Sequence, residues 1–170
     1  MRELKIGERI PIEAGGEAVV SRELGRGGQG IVYLVRYNGR EYALKWYFIS
    51  RIKNPEAFRN NLRKNIEDGA PEGGKQFIWP LFLTETKKNG AFGYLMRLAP
   101  SGYESFTDIY NGYRWEKPRV KGQPARKIKV KFASLDVMLT AAINIVKAFR
   151  ALHLSCLLYT SDAADDSLRV

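Results

Sequence analysis

The sequence predicts an α+β fold: a five-stranded antiparallel sheet with one helix, followed by the first helices of a second, incomplete helical unit. Three observations carry this. β-Branched and aromatic runs recur at short intervals between residues 17 and 47, separated by glycine-rich and Asn-Gly turns. Apolar residues then change to a four-residue period at Phe58, Leu62 and Ile66. A longer helical stripe follows at Leu135, Met138, Leu139, Ala142, Val146, Phe149 and Leu152.

Residues 17–24 read as a strand after the Gly15-Gly16 turn, and a glycine cluster, Gly25-Arg26-Gly27-Gly28-Gln29-Gly30, comes next. Ile31-Val32-Tyr33-Leu34-Val35 has the composition of a half-buried strand. Asn38-Gly39 signals a tight hairpin, because both central positions of a type I′ turn need positive φ. Residues 41–47 form the third strand. A helix is expected over 54–68, with Asn54 as its cap, Pro55 in its first position and Gly69 to end it. Residues 77–83 give a fourth strand interrupted by Pro80, and the Lys88-Asn89-Gly90 turn leads into a fifth over 91–97. A short helix is expected around 104–110, and a long one capped by Ser134 reaching about His153. The domain boundaries predicted from this pattern are 1–100, 101–155 and a distinct tail over 156–170.

At 170 residues the chain is long enough for one ordinary domain with a core. Its 45% hydrophobic and 27% charged residues exclude the disordered and fibrous classes. No uninterrupted apolar run approaches the roughly eighteen residues of a membrane span, and the first residues lack the apolar stretch of a secretory signal. No membrane partner is expected, and the expected location is the cytoplasm. A single cysteine excludes an internal disulfide and a cysteine-rich zinc site. The net charge of +10 is concentrated in residues 111–132. There Arg114, Lys117, Arg119, Lys121, Arg126, Lys127, Lys129 and Lys131 face the single acid Glu116. Such a run can bind nucleic acid or an acidic partner. The plainer reading is a solvated, mobile insertion, so no nucleic-acid partner is expected.

Residues 156–170 break the pattern before them. Cys156-Leu157-Leu158-Tyr159-Thr160-Ser161-Asp162-Ala163-Ala164-Asp165 resembles the translation of a transposon-based sequencing adapter. The segment is therefore expected to be non-native, and Asp162, Asp165 and Asp166 are assigned no role.

The glycine cluster is the first chemical signal. Gly25, Gly27 and Gly30 have the G-x-G-x-x-G spacing, which by itself is weak. A dinucleotide fingerprint would continue into a helix, and a Walker-type loop would end in Gly-Lys-Ser/Thr. Here a strand follows, leaving a hairpin whose backbone N–H groups can lie over phosphates. Lys45, in Ala43-Leu44-Lys45, strengthens that reading, since an inward-facing strand lysine needs an anion to offset its desolvation. Alternation puts Ala43 and Lys45 on one face and Tyr42, Leu44 and Trp46 on the other.

Leu24-Gly25-Arg26-Gly27-Gly28-Gln29-Gly30-Ile31-Val32, followed by Ala43-Leu44-Lys45, resembles the signature set of the protein kinases. Phe77-Ile78-Trp79-Pro80 and Gly93-Tyr94-Leu95-Met96 further resemble a bacterial Ser/Thr subgroup. The resemblance implies a kinase amino-terminal lobe and hinge over 1–100. It implies an ATP site that includes Leu24, in which Gly25, Gly27, Gly28 and Gly30 cover the phosphates and Val32 and Ala43 sandwich adenine. Lys45 would then be the catalytic lysine, pairing with the phosphates. Met96 would be the gatekeeper, with the backbone of Arg97 and Ala99 meeting the adenine edge.

Two departures accompany the resemblance. The helix offers Glu56 and Glu67 near its ends, with Asn60 and Asn61 where a glutamate partner for Lys45 would sit. The catalytic loop H-R-D-x-x-x-x-N and the D-F-G motif do not occur, so no metal ligand is assigned and Mg2+ is expected only for the complete enzyme. The resemblance implies a parent enzyme that transfers the ATP γ-phosphoryl group to a Ser/Thr hydroxyl of an unknown protein, this chain alone being inactive. The alternative is a non-catalytic kinase-like nucleotide-binding or interaction module.

Overall fold

A computed structural model describes residues 3–71, 77–100, 106–116 and 124–154. The chain divides into two compact units, residues 1–99 and 100–170.

The first unit is a six-stranded antiparallel sheet with one helix, the α+β arrangement expected. β1 (Arg9–Pro11), β2 (Glu17–Gly27), β3 (Gly30–Tyr37) and β4 (Arg40–Tyr47) form a meander. β5 (Pro80–Leu83) and β6 (Gly93–Met96) add to it in the order β1-β2-β3-β4-β6-β5. The expectation of five strands is corrected by β1, which pairs Arg9 to Val19 and Ile10 to Ala18. At three residues, β1 is too short to show a period in sequence. The β3–β4 turn is as expected: Asn38 and Gly39 have φ of 48° and 74°, and Tyr37 pairs with Arg40. Pro80 opens β5 rather than interrupting it, a place where its missing N–H costs no ladder bond.

The sheet curls until its two outer strands meet. Ile12, just past β1, bridges to Thr84, just past β5, and Glu13 N–H donates to the Leu83 carbonyl. Glu85 N–H donates in turn to the Pro11 carbonyl. These bonds satisfy edge groups that would otherwise be open to pairing with another chain. Inside the curl lies the main core of Ile10, Ile12, Val20, Ile31, Val35, Leu44, Trp46 and Leu95. The alternate residues of β3, β4 and β6 therefore point outward.

α1 (Pro55–Asp68) begins where the sequence predicts: the Asn54 side chain accepts from Ala57 N–H at 3.1 Å, and Gly69 ends it with φ of 75°. Leu62, Phe58 and Ile66 pack with Tyr47, Leu83 and Phe92 in a second core on the outside of the sheet. Glu13 fastens the helix, accepting from both Arg59 and Arg63.

In the second unit, α2 (Phe106–Asn111) is followed by β7 (Tyr113–Glu116), β8 (Arg126–Lys129) and α3 (Leu135–Leu154). β7 and β8 form an antiparallel ribbon, so residues 113–116 and 126–129 of the basic run are paired strands. Cross-strand pairing supplies backbone bonds that a charge count cannot reveal. Ser134 caps α3 as expected, its Oγ accepting from Val137 N–H at 3.3 Å. α3 has no buried residue. It is also long and apolar enough to cross a membrane by length and composition, with a mean hydropathy of 1.4. Asp136, Lys147 and Arg150 are spread along the helix and interrupt its apolar run. The expected tail over 156–170 lies outside the described residues.

Candidate functional site

The site predicted from sequence falls largely on the outer face of β2, β3, β4 and β6. Antiparallel pairing sets residues directly opposite one another on the same face. Gly25 pairs with Val32, Val32 with Lys45, and Lys45 with Tyr94, making one continuous row across four strands. The next row joins Leu34, Ala43 and Met96. Gly30 lies opposite Tyr47 on the same face. The intervening residues Ile31, Tyr33, Leu44, Trp46 and Leu95 fill the interior. Hydrophobic burial thus places Lys45 outside: the core takes Leu44 and Trp46, and strand alternation does the rest.

Within this face Val32, Lys45 and Met96 are half-buried and Ala43 is buried. Arg97 and Ala99 follow β6 without regular structure and are exposed. Leu24 is 39% exposed, at a register shift between Glu23 and Gly25 that bends β2.

The four glycines are held for different reasons. A Cβ on Gly30 would sit 2.2 Å from the Trp46 carbonyl oxygen, so the close approach of β3 to β4 requires glycine there. A Cβ on Gly25, Gly27 or Gly28 would meet nothing within 4 Å, and none of the three has positive φ. Among the described residues, neither packing nor backbone conformation calls for glycine at those positions. Open space over a bare backbone is what a close-lying anion would need.

Arg26, between these glycines, hydrogen-bonds Glu3 and Glu23. Its bonds to Glu3 tie the hairpin tip to the amino-terminal segment, although pairs this exposed add little stability.

Lys45 has aromatic company that the glycine and lysine motifs did not announce. Its ammonium lies 6.0 Å from the centroid of the Tyr47 ring. The Tyr47 and Tyr94 rings are 6.0 Å apart, and burial pushes both phenols above their ordinary range. The signal was available, since Tyr47 is two residues from Lys45 on the same strand face. Among the described residues, no carboxylate forms an ion pair with Lys45. On α1, Phe58 meets Tyr47 edge-on at 5.0 Å, while Asn60 accepts from Arg63. Glu56 lines a separate hollow with Pro55, Arg59 and Thr86.

A larger cavity, of about 470 Å³, is lined by Pro11, Trp46 and residues 85–89. It contains none of the predicted site residues. Its only lining residue from β4, Trp46, belongs to the opposite face from Lys45, so the two places are distinct.

No protein-family model matches the chain, and no curated protein does. Solved structures do, among them two forms of one bacterial kinase domain. A single-mutant form of the PknI kinase domain of Mycobacterium tuberculosis aligns with a TM-score of 0.46 and 19% sequence identity, covering 69% of this chain and 44% of that one. A double-mutant form of the same domain gives 0.40 and 21%, covering 57% and 37%. The chain thus spans less than half the length of the kinase domains it matches.

The residues present fit a phosphate-bearing ligand better than a metal. Gly25, Gly27 and Gly28 leave space, and the Lys45 row adds a cation. Among the described residues no group of three or more His, Cys, Asp or Glu side chains is placed to hold a metal ion.

Proposed function

We propose that residues 1–100 are the nucleotide-binding lobe of a protein kinase and that ATP is its ligand. One observation carries the reading: Gly25, Val32 and Lys45 stand in a single cross-strand row, next to a hairpin tip where Gly25, Gly27 and Gly28 are needed neither for packing nor for backbone conformation among the described residues. Backbone N–H groups of the hairpin donate to phosphate oxygens, and Lys45 holds the phosphates by charge. Val32, Ala43 and Met96 supply the apolar surface for the base. Bound ATP provides the γ-phosphoryl group, and in the complete gene product a Ser/Thr hydroxyl of a protein accepts it. The contribution of this chain is positioning and charge stabilisation.

The test is Lys45→Ala. Removing one charge contact to the transferring phosphate lowers turnover of the complete gene product by roughly 10²-fold. A fluorescent ATP analogue binds the present chain, and the same substitution weakens that binding. Unchanged turnover and unchanged analogue binding would remove the role given to Lys45.

A second reading, a non-catalytic kinase-like module, is favoured by the absence of an acidic partner for Lys45 among the described residues. It predicts nucleotide binding without phosphoryl transfer by the complete gene product.

A further inference from the structure

The basic run of the second unit has a use that its composition alone left undecided. In the β7–β8 ribbon Tyr113 pairs with Lys129, Arg114 with Ile128, Trp115 with Lys127 and Glu116 with Arg126. Opposed residues share a face, so Tyr113, Trp115, Lys127 and Lys129 make one surface. Arg114, Ile128, Glu116 and Arg126 make the other.

The two faces are treated differently by the fold. On the second face Ile128 is half-buried, and Val130, next on that face, is buried, its N–H donating to the Gly112 carbonyl. On the first, Lys127 and Lys129 are exposed and Trp115 is 62% exposed. Trp115 stands edge-on to Tyr113, with centroids 6.2 Å apart, and the Lys127 ammonium lies 3.8 Å from the Tyr113 centroid. The run's one acid, Glu116, falls on the opposite face across from Arg126.

We propose that this face binds single-stranded nucleic acid, with Trp115 as the platform for a base and Lys127 and Lys129 on the flanking phosphates. Charge complementarity selects a polyanion. The exposed indole selects one that carries flat rings, because stacking offers a base a gain that an acidic peptide cannot match. A duplex hides its base faces, so its rings are not offered to the indole. The surface is built from residues of the second unit alone, and the proposal stands whether or not the ATP reading holds.

The experiment is fluorescence anisotropy of the whole chain with labelled oligo-dT and oligo-U of about twelve nucleotides. Binding is expected for both, weakening as salt rises because phosphate contacts release counterions. Trp115→Ala is expected to weaken it about tenfold, and Trp115→Phe to restore most of the loss, with circular dichroism unchanged in both. Lys127→Gln with Lys129→Gln lowers the salt slope by about 1.4 if each lysine meets one phosphate. No binding at low salt overturns the proposal, as does a neutral Trp115→Ala. Equal affinity for a poly-glutamate peptide points instead to an acidic protein partner, and equal affinity for a duplex to charge alone; either result also overturns it.

Discussion

Glycine carries two unrelated meanings within six residues of this chain. At Gly30 a side chain would collide with the Trp46 carbonyl oxygen at 2.2 Å. Gly30→Ala is therefore expected to force apart β3 and β4 and to cost about 1–3 kcal/mol, read as a lowered thermal midpoint. At Gly27 a Cβ meets nothing within 4 Å. Gly27→Ala should leave the midpoint nearly unchanged and weaken only nucleotide-analogue binding. Equal thermal effects at the two positions would show that the hairpin tip is packed more tightly than its open surroundings indicate. Lys45 belongs at the same scale, since its place is decided by neighbours: Leu44 and Trp46 are wholly or almost wholly buried, and they leave it the outer face.

Among the elements, α1 shows how a helix is held to a sheet by more than its apolar stripe. Asn54→Ala removes the cap on Ala57 N–H and is expected to cost about 1 kcal/mol in urea unfolding. Glu13 adds a tether from the turn between β1 and β2. Burial acts to raise the Glu13 carboxyl, but bonds and charge from Arg63 and Arg59 outweigh it and hold it below its ordinary 4.5. A carboxyl depressed on folding stabilises the folded state above its ordinary value and loses that effect as pH falls through the folded value. Stability should thus decline below about pH 4.5, and Glu13→Gln should flatten that acid limb while lowering neutral-pH stability by ~1 kcal/mol. A pH series of urea midpoints for the two proteins decides it. Parallel acid limbs would mean that other carboxylates dominate.

For the molecule as a whole, the two units differ in how well their apolar surface is covered. The sheet encloses its core and bonds its own outer strands together, whereas α3 exposes Leu139, Val146 and Phe149 by 51%, 67% and 58%. Covering a large apolar side chain is worth about 1.5–3 kcal/mol, and α3 lacks that gain along its length. Amide exchange is expected to be fastest in 135–154 and slowest in β3 and β4. Equal protection in a monodisperse monomer would mean that α3 is covered.

The sequence by itself determined the local elements and the composition of the site. The Asn38-Gly39 turn, the α1 cap and stop, the Ser134 cap and the side-chain alternation around Lys45 all follow from rules that act over a few residues. That is why they were legible. The sixth strand, the curl that joins Ile12 to Thr84, the placing of Tyr94 opposite Lys45 and the pairing of Tyr113 with Lys129 depend on contacts between distant residues. Only the tertiary structure decided those, because burial and cross-strand pairing are properties of neighbours in space. The basic run shows the difference most plainly. Composition saw its charge, but the register of two short strands put Tyr113, Trp115, Lys127 and Lys129 on one face and Glu116 on the other.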